Sequence, residues 1–274
     1  MLYLVGTPIG NMGDISPRAV EVLSEVDIVA CEDTRRTGLL LQHVGVENKL
    51  FSYHEHNKAA KGPVLIEKMK AGLNVALVSD AGMPSINDPG EDLVKLCIAN
   101  DVEITVVPGP VAAITALVMS GLDTNTFHYE GFLPSEGKAR KERLEAITSI
   151  KETIILYEAP HRLCKLIKEL SEYGFGNSKA AFCRELTKKY EQVIRMTIDE
   201  AITYYEQTSP KGEFVICLAP SDKEVQTEQE IDIDEMIKQL DEEGKSTKEI
   251  ASIISSQTGR RKKEIYEYVL TMLK

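Results

Sequence analysis

The sequence predicts an α/β protein with two consecutive α/β domains and a small helical module at its C-terminal end. Short apolar runs alternate with amphipathic stretches along the first 220 residues. The runs are rich in Val and Ile and lack polar alternation, which is typical of parallel strands covered by helices on both faces. After residue 220 the composition becomes polar and charged, and three short helical patterns follow.

The first predicted domain covers residues 1–121. Its strand-like runs are Leu2–Val5, Ile28–Ala30, Val75–Val78 and Ile104–Val107. The amphipathic stretches between them predict helices at Pro17–Glu25, Lys58–Ala71 and Glu91–Asn100, and a further helix that begins at Pro110.

The second predicted domain covers residues 122–220, where the same alternation restarts. Its strands are expected at Thr153–Tyr157, Ala180–Cys183, Val193–Met196 and Phe214–Leu218, and its helices at Lys138–Ile150, His161–Tyr173 and Asp199–Gln207. A polar linker, Ser221–Glu230, separates this domain from the helical module, residues 231–274. Gly244 separates the first two helices of the module, and a basic cluster begins the third.

Composition and charge exclude some classes of protein. The chain has 274 residues, 43% of them apolar, and no apolar run long enough to span a membrane. Its N-terminus lacks the features of a signal peptide and its five cysteines are scattered, so we expect a cytoplasmic protein. A net charge of −11 argues against a protein that coats nucleic acid indiscriminately, although local basic clusters can still attract RNA.

Three strand-to-helix turns rich in Gly and Pro predict a binding site. Val5–Asn11 follows the first strand, Ser79–Gly90 leaves a buried strand, and Pro108–Ala112 ends the next one. Loops at the carboxyl ends of parallel strands expose backbone groups at the edge where α/β proteins bind ligands. Val5–Asn11 does not match the GxGxxG or Walker pattern, which weakens the alternative of a Rossmann site with Glu32 and Asp33 on a ribose.

Nine short motifs occur in an order typical of one family. They are GTPIGN, EDTRRT, HEHN (His54–Asn57), SDAGMP with DPG, PGP, GFLP (Gly131–Pro134), YEAPHR (Tyr157–Arg162), RELTKKYE (Arg184–Glu191) and KGEF (Lys211–Phe214). From Leu2 to about Leu218 the chain resembles the ribosomal RNA small subunit methyltransferase I family, within the tetrapyrrole (corrin/porphyrin) methylase superfamily. The helical tail also looks like that of the family. The sequence departs from the family pattern at Ser85 and Asn87, where Gly and Ser are expected.

The resemblance implies a class III S-adenosylmethionine-dependent methyltransferase with two α/β domains, acting as a homodimer. The implied reaction is methyl transfer to the ribose 2′-oxygen of a cytidine in the decoding region of 16S rRNA, within the small ribosomal subunit. The cofactor is expected in the cleft between the domains, held largely by backbone groups. The implied contacts are Pro8 or Ile9, Ala81, Gly82, Met83, Ile86, Val111, Ala112, Tyr157 or Glu158, Leu186, and the turn from Pro210 to Gly212.

The implied reaction needs alignment of the reacting atoms, exclusion of water and loss of a hydroxyl proton. Glu158, Glu185 and Lys188 are the candidates that would help the proton to leave. The candidates for RNA contact are Arg35, Arg36, His54, Arg162, Arg184, and the basic cluster Arg260, Arg261, Lys262 and Lys263. His54 and His56 lack the further ligands of a metal site, so no metal is expected.

Two other functions stay open at this stage. A C-methylase of tetrapyrrole precursors shares the fold, but its first loop usually reads GxGPGD and it would lack the basic tail. The other is a cofactor-binding regulator of ribosome assembly without activity.

The tail is expected to contact RNA, and the competing interpretation is that it packs on the dimer or shields an apolar patch.

Overall fold

The computed structural model describes residues 1–221, 233–258 and 262–273. The chain divides into two compact units, Met1–Asp222 and Lys223–Lys274. The described part of the first unit contains two five-stranded sheets, and that of the second unit contains three helices. The finer division into domains 1–121 and 122–220 stays a prediction, because both sheets belong to one compact unit.

The first sheet is parallel throughout. Its strands are β1 (Leu2–Val5), β2 (Ile28–Cys31), β3 (Leu50–Ser52), β4 (Val75–Val78) and β5 (Ile104–Val107), in the order β3-β2-β4-β1-β5. Every residue of β2 and β4 is buried, which explains why these strands are apolar without alternation. One face packs in a cluster around Leu23 and Val29, and the other packs around Leu65 and Leu77.

Helices follow the strands of this sheet. They are α1 (Pro17–Glu25), α2 (Thr34–His43), α3 (Lys58–Lys70), α4 (Glu91–Ala99) and α5 (Ala112–Ser120). Ser16 caps α1 by accepting a hydrogen bond from the Ala19 N–H, and Pro17 occupies the first helical position, where it removes no needed donor. The sequence patterns miss β3 and α2, because β3 has only three residues and α2 carries Gly38 in its interior.

Helix α5 connects the first sheet to the second. It begins just after β5, and its Ala113, Ala116 and Leu117 pack against a face of the second sheet that includes Ile155 and Val215. This packing on the second sheet explains why α5 is largely apolar. It also brings the carboxyl edge of the first sheet close to the second sheet.

The second sheet is mixed. Its strands are β6 (Phe127–Phe132), β7 (Thr153–Glu158), β8 (Lys179–Arg184), β9 (Gln192–Thr197) and β10 (Phe214–Leu218), in the order β6-β7-β10-β8-β9. Within this sheet β6 and β7 run parallel, and the other neighbouring strands are antiparallel. The link Glu185–Glu191 between β8 and β9 is too short for the crossover that parallel neighbours need. The apolar runs predict four of these strands, but the parallel direction that they indicate is wrong for every neighbouring pair except β6 and β7.

Three helices cover the other face of the second sheet. They are α6 (Gly137–Ile147), α7 (Pro160–Leu170) and α8 (Ile198–Gln207), and α7 continues into a π-helical turn, Ser171–Phe175. Their apolar residues, among them Leu144 and Leu166, form one cluster with the strands. Thr197 and Glu200 form a capping box that fixes the start of α8.

The second unit is a small helical module. Its described helices are α9 (Ile233–Glu242), α10 (Thr247–Thr258) and α11 (Lys262–Met272), which share a core that includes Ile237, Ile250 and Ile265. The predicted linker, from residue 222 onward, lies outside the described residues, as do Arg260 and Arg261. None of the helices that the structure describes combines the length and the apolar character of a membrane span.

Candidate functional site

The turns after β1 and β4 are joined by backbone hydrogen bonds. The Thr7 N–H donates to the Gly82 carbonyl oxygen at 2.9 Å, and the Gly82 N–H donates to the Thr7 carbonyl oxygen at 3.1 Å. The Thr7 hydroxyl also donates to the Ser79 carbonyl oxygen, at 3.2 Å. These bonds make the two turns one fixed edge of the first sheet.

The turn after β5 lies against the first turn, backbone to backbone. A Cβ on Gly6 would come within 2.6 Å of the Gly109 Cα, and a Cβ on Gly109 would come within 2.8 Å of the Gly6 backbone. No side chain fits at either position without displacing main chain. Helix α5 begins next, at Ala112. Its N-cap residue Val111 makes no side-chain cap, but the Tyr157 hydroxyl accepts a hydrogen bond from the Ala113 N–H at 3.0 Å. All three turns predicted from the sequence therefore meet at the carboxyl edge of the first sheet.

The second half of the turn after β4 is held in an unusual conformation. Ser85 has a φ of 72° and Asn87 a φ of 62°, both in the left-handed region that few non-glycine residues adopt. The family pattern places Gly at position 85, which suits this backbone. The Asn87 side-chain amide donates to the Tyr129 hydroxyl on β6, so the loop is attached to the second sheet.

A cavity of about 430 Å³ lies between these turns and the second sheet. Its volume is within the roughly 300–1,000 Å³ typical of small-molecule sites. Eight of the expected cofactor contacts line it together: Ile9, Ala81, Gly82, Met83, Ile86, Val111, Ala112 and Tyr157. Further lining residues on or next to β6 and β10 were not predicted from the sequence, namely Phe132, Glu213, Phe214 and Val215.

Glu158, expected as the alternative to Tyr157, also lines the cavity, whereas the remaining expected cofactor contacts lie outside its lining. Pro8 lines a smaller cavity of about 200 Å³ together with Asp80. Leu186 is buried in the apolar cluster against which Ile9 packs. The Pro210–Gly212 turn precedes β10, where Pro210 lines a separate cavity. The structure thus brings most, but not all, of these residues to one place, and their contacts with the cofactor stay predictions.

The Glu158 carboxylate is buried and already paired. Its Oε1 lies 3.1 Å from the Arg162 Nε and accepts a hydrogen bond from the Ala159 N–H at 2.9 Å. Its Oε2 lies 3.9 Å from the Arg140 Nη2 and has no hydrogen-bond partner in the described part of the chain. Burial raises the pKa of Glu158 despite these arginines. The residue lines the cavity, yet its side chain is 0% exposed.

Lys188 connects two carboxylates beside the cavity. Its Nζ lies 3.0 Å from the Glu185 Oε1 and 2.8 Å from the Glu213 Oε2. Burial opposes both charges, but the hydrogen bonds outweigh it, so the pKa of Glu185 is lowered and the pKa of Lys188 is raised. Glu185 and Thr187 have φ values of 51° and 62°, so this turn is also strained. Lys188 therefore remains a cation held by two carboxylates.

Asp88 is an ionisable lining residue that is not among the site residues predicted from the sequence. Its carboxylate has no Lys, Arg or His nitrogen within ion-pair distance among the described residues, and burial raises its pKa to about 6, helped by the charges of Glu32 and Asp80. The sequence contains a signal for it, an acidic residue in a turn that leaves a buried strand. That signal is shared with Asp80, so pattern alone does not separate the two.

The candidates for RNA contact near the first sheet are partly paired. Arg35 is 88% exposed at its side chain and lies 2.7 Å from Asp33, whose pKa is lowered chiefly by the hydrogen bond from Arg35. Arg36 lies 3.2 Å from Asp80. The His54 Nδ1 is buried, with no hydrogen-bond partner in the part of the chain that is described. Their roles in RNA contact stay predictions.

Arg162 and Arg184, the candidates for RNA contact near the second sheet, differ in their hydrogen-bond and ion-pair partners. Arg162 donates to the Leu133 carbonyl oxygen at 2.7 Å and forms an ion pair with the buried Glu158. Its guanidinium is therefore engaged by partners within the protein. Arg184 donates from Nε to the Lys211 carbonyl oxygen at 2.5 Å. Within residues 1–221, no carboxylate lies within ion-pair distance of Arg184 or Lys211.

Arg184 and Lys211 line a second cavity, of about 410 Å³, together with Tyr204. Phe214 lines both this cavity and the 430 Å³ one, so it separates the two. In the helical module, the Lys262 Nζ donates to the Ser252 hydroxyl at 3.1 Å. Lys262 and Lys263 begin α11, whereas the other two cations of the cluster, Arg260 and Arg261, lie outside the described residues.

Comparison with known sequences decides the family. The family model described as "Tetrapyrrole (Corrin/Porphyrin) Methylases" matches residues 1–202. A relative from Synechocystis sp. named "Ribosomal RNA small subunit methyltransferase I" is 40% identical over 275 residues, which cover 99% of this chain and 98% of the relative. A relative of the same name from Bacillus subtilis is 41% identical, with 97% of this chain and 93% of the relative covered. The chain belongs to this family.

Solved structures of low sequence identity share the fold. A uroporphyrin-III C-methyl transferase from Thermus thermophilus, complexed with S-adenyl homocysteine, has a TM-score of 0.57 at 17% identity, covering 79% of this chain and 96% of that chain. A diphthine synthase has a TM-score of 0.63 at 16% identity, covering 80% and 89%. The expected family and the expected α/β fold of the tetrapyrrole methylase type are confirmed. So is the expected class of enzyme, a methyltransferase that uses S-adenosylmethionine.

The residues around the 430 Å³ cavity suit S-adenosylmethionine. Ile9 and Val111 offer apolar surface to an adenosine group. At the N-terminus of α5 the Ala113 N–H is taken by the Tyr157 hydroxyl, and the Ala112 N–H beside it is a donor suited to a carboxylate. A Cβ at position 82 would lie only 3.3 Å from the Ile9 Cγ2. The glycine at this position therefore leaves space at the cavity wall.

Proposed function

We propose that this chain methylates the ribose 2′-oxygen of a cytidine in the decoding region of 16S rRNA, within the small ribosomal subunit. The observation that carries the proposal is the cavity between the two sheets, which eight expected cofactor contacts line together. The printed name of the relatives supports an RNA of the small subunit as substrate, and their similarity extends over almost the whole chain. The choice of the cytidine 2′-oxygen rests on the family resemblance.

The cavity provides for alignment and for a dry reaction site. S-adenosylmethionine, when bound, supplies a methyl group on a positively charged sulfur. The hydrogen-bonded pair Thr7 and Gly82 keeps the wall of the cavity fixed before RNA binds. The protein therefore loses little conformational freedom on reaching the transition state. The apolar lining, including Met83 and Val215, excludes water that would compete with the ribose hydroxyl.

Lys188 acts on the charge that develops at the ribose oxygen. Its raised pKa keeps it protonated at neutral pH, so it does not accept the proton itself. Glu213 lines the cavity and holds the ammonium group of Lys188 at the cavity edge. A cation in this position stabilises an oxygen that is losing its proton. Glu185 orients Lys188 from the other side.

RNA contact is proposed on the basic groups that flank the cavity. Arg184 and Lys211 line the adjoining cavity and have no carboxylate partner within residues 1–221, and Tyr204 offers an aromatic ring there. Cationic groups next to an aromatic ring match the phosphates and bases of single-stranded RNA. Arg35 and Arg36 add positive charge near the first sheet, and the basic cluster of the tail adds more.

We further propose that the protein acts in the cytoplasm as a homodimer. Helix α5 exposes Ile114 and Val118, one turn apart, at 42% and 68% of their surface. The edge strand β5 exposes Val106 at 47%. Exposed apolar side chains on neighbouring elements are typical of a surface that associates with another chain.

Transfer of a labelled methyl group tests the proposal against its alternatives. The protein is incubated with labelled S-adenosylmethionine and, in parallel, with small subunits that lack the modification, subunits that carry it, and a tetrapyrrole precursor. Label is expected in the RNA of the unmodified subunits alone. Label in the tetrapyrrole would indicate a C-methylase, and cofactor binding without transfer to any acceptor would indicate a regulator without activity.

A further inference from the structure

We propose that the Asp88 carboxylate is the general base that accepts the proton of the ribose hydroxyl during methyl transfer. This role rests on the proposed function and names a residue outside the three catalytic candidates taken from the sequence. It follows from the position of Asp88 in the cavity, from the pairing of the other carboxylates there, and from the groups that face it.

The position of Asp88 is fixed by the loop that carries it. The loop is attached to the first sheet through the Thr7–Gly82 hydrogen bonds and to the second sheet through the bond from Asn87 to Tyr129. Asp88 follows Asn87 directly, so its carboxylate is held in the wall between the two sheets. A base on such a restrained segment loses little freedom when substrate binds.

The other two carboxylate residues of the cavity wall are already engaged by cations. Glu158 pairs with Arg162 at 3.1 Å and has a side chain with no exposed surface. Glu213 pairs with Lys188 at 2.8 Å. Protonation of either carboxylate would weaken its ion pair. Asp88 has no such partner among the described residues, so it is the carboxylate in the wall that is free to take a proton.

The groups that face Asp88 come from several elements. Glu32 follows β2 and Asp80 follows β4, and both carboxylates disfavour the charged form of Asp88. The Ser79 hydroxyl acts in the opposite direction by hydrogen bonding. The charge of Asp80 is itself paired, since its Oδ2 lies 3.2 Å from the Arg36 Nη1.

The second sheet faces Asp88 with neutral groups. Tyr129 on β6 and Tyr157 on β7 both have a raised pKa, for which burial is the main cause and the charge of Asp88 a minor one. Neither phenol therefore ionises near neutral pH. Together with burial, these surroundings place the pKa of Asp88 at about 6. Such a carboxylate is mostly ionised at neutral pH and still basic enough to accept a proton in the transition state.

The chemical step balances with this one base. The ribose oxygen forms a bond to the methyl carbon as its O–H bond breaks, and the proton passes to a carboxylate oxygen of Asp88. The electron pair of the broken S–CH₃ bond stays on sulfur, which becomes a neutral thioether. The protonated Asp88 then returns its proton to water after the products leave.

The isosteric variant Asp88→Asn tests the role. The full-length chain is assayed by single-turnover methylation of unmodified small subunits between pH 5 and 8, and its S-adenosylmethionine affinity is measured by calorimetry. Glu91→Gln is the matched control, because it removes one carboxylate nearby on α4 that is 72% exposed and paired with Lys95. Carbon-detected NMR of labelled Asp carboxyl groups, without cofactor or RNA, gives an independent reading of the Asp88 titration.

We expect the wild-type rate to rise with pH through about 6 and then level, because the base must be deprotonated. Asp88→Asn should lower the rate by roughly 10²–10⁴-fold and remove that rise, while cofactor affinity and the thermal transition stay near those of wild type. One carboxyl signal should titrate near this pH in wild type and be missing in the variant.

Two results would overturn the role of Asp88. One is a folded Asp88→Asn protein that methylates within about twofold of wild type, corresponding to roughly 0.4 kcal/mol of barrier. The other is a rate loss fully explained by lost cofactor affinity, which would make Asp88 a binding residue. If the wild-type protein itself transfers no methyl group to small subunits, the proposed function is wrong. That conclusion does not depend on the Asp88→Asn variant.

Discussion

The Asn11 N–H donates a hydrogen bond to the Thr187 hydroxyl oxygen at 2.9 Å, although the two residues are 176 positions apart. The bond joins the turn after β1 to the turn after β8. Beside it, a Cβ on Gly10 would lie 2.5 Å from the Lys188 Cγ and 2.9 Å from the Leu186 carbonyl oxygen. This contact holds the edge of the first sheet against the second sheet, next to the cavity that both sheets line.

Replacing Gly10 by Ala should loosen this contact. The added methyl group has no space, so we expect the free energy of unfolding to fall by about 1–3 kcal/mol and the cofactor to bind more weakly. Thermal denaturation and calorimetry measure the two effects. Gly38→Ala is the control, since its Cβ would meet only the Leu50 Cδ1 at 3.7 Å and should leave both quantities unchanged or raise stability slightly. Wild-type behaviour of Gly10→Ala would contradict the account.

Replacing Gly82 by Val should abolish cofactor binding in a protein that still unfolds cooperatively. Gly82 has a φ of 86° and lies in the cavity wall against Ile9, so a larger side chain fills the space of the cofactor. Gly72→Val is a matched control, because Gly72 has a φ of 93° and no atom of the described residues outside its own neighbourhood lies within 4 Å of its Cβ position. Both variants carry similar backbone strain, but only the first should lose affinity by calorimetry. Retained micromolar affinity in Gly82→Val would place the cofactor elsewhere.

Replacing Lys188 by Ala should lower methylation strongly while S-adenosylmethionine still binds. The variant removes the cation that Glu185 and Glu213 hold at the cavity edge. We expect at least a tenfold loss of single-turnover rate, or about 1.4 kcal/mol of barrier. Lys189→Ala, at an exposed neighbour, should react at the wild-type rate. A Lys188→Ala rate within about twofold of wild type would make Lys188 a structural residue.

Replacing Arg184 by Gln should weaken binding of small subunits without changing cofactor affinity. Arg184 lines the cavity beyond Phe214, where its charge has no carboxylate partner within residues 1–221. Loss of one phosphate contact should reduce the slope of log affinity against log salt by about 1. The control Lys151→Gln removes an exposed charge after α6. Equal salt slopes for the two variants would exclude a phosphate contact at Arg184.

Removing the helical module should weaken RNA binding and leave the catalytic unit intact. A chain ending at Asp222 keeps the whole first compact unit, including the bond from the Ser221 hydroxyl to the Gly174 carbonyl oxygen. We expect unchanged cofactor affinity and dimer content, but weaker binding to small subunits with a shallower salt slope. The full-length chain with Arg260–Lys263 replaced by four Gln residues should reproduce this effect. Dissociation of the dimer on truncation, or unchanged subunit binding, would assign the module a structural role.

The sequence predicts the first sheet better than the second for a physical reason. Val75–Val78 is a continuous buried strand, and its apolar run has the bounds observed in the structure. In contrast, β6 is an edge strand with a bulge between Tyr129 and Gly131 and mostly half-exposed residues, so it carries no apolar period. The antiparallel pairing of β8 and β9 depends on a short link, which strand composition does not encode.

The candidate site could also be predicted only in part. The turns that line the cavity could be predicted because Gly and Pro are required by the backbone, as the contact between Gly6 and Gly109 shows. The ionisation of individual carboxylates could not, because it depends on partners distant in sequence. Glu158 is engaged by Arg162 and Arg140. The pKa of Asp88 is raised first by burial and then by the charge of Glu32, 56 positions earlier in the chain.

Mass spectrometry of the reacted RNA tests the central claim most directly. Small subunits that lack the modification are incubated with the protein and S-adenosylmethionine, and the 16S rRNA is digested to fragments and then to nucleosides. We predict one methyl group on one cytidine of the decoding region, retained on the ribose after the bond between base and sugar is broken. A methyl group found on the base, or on a nucleoside outside the decoding region, would contradict the proposal.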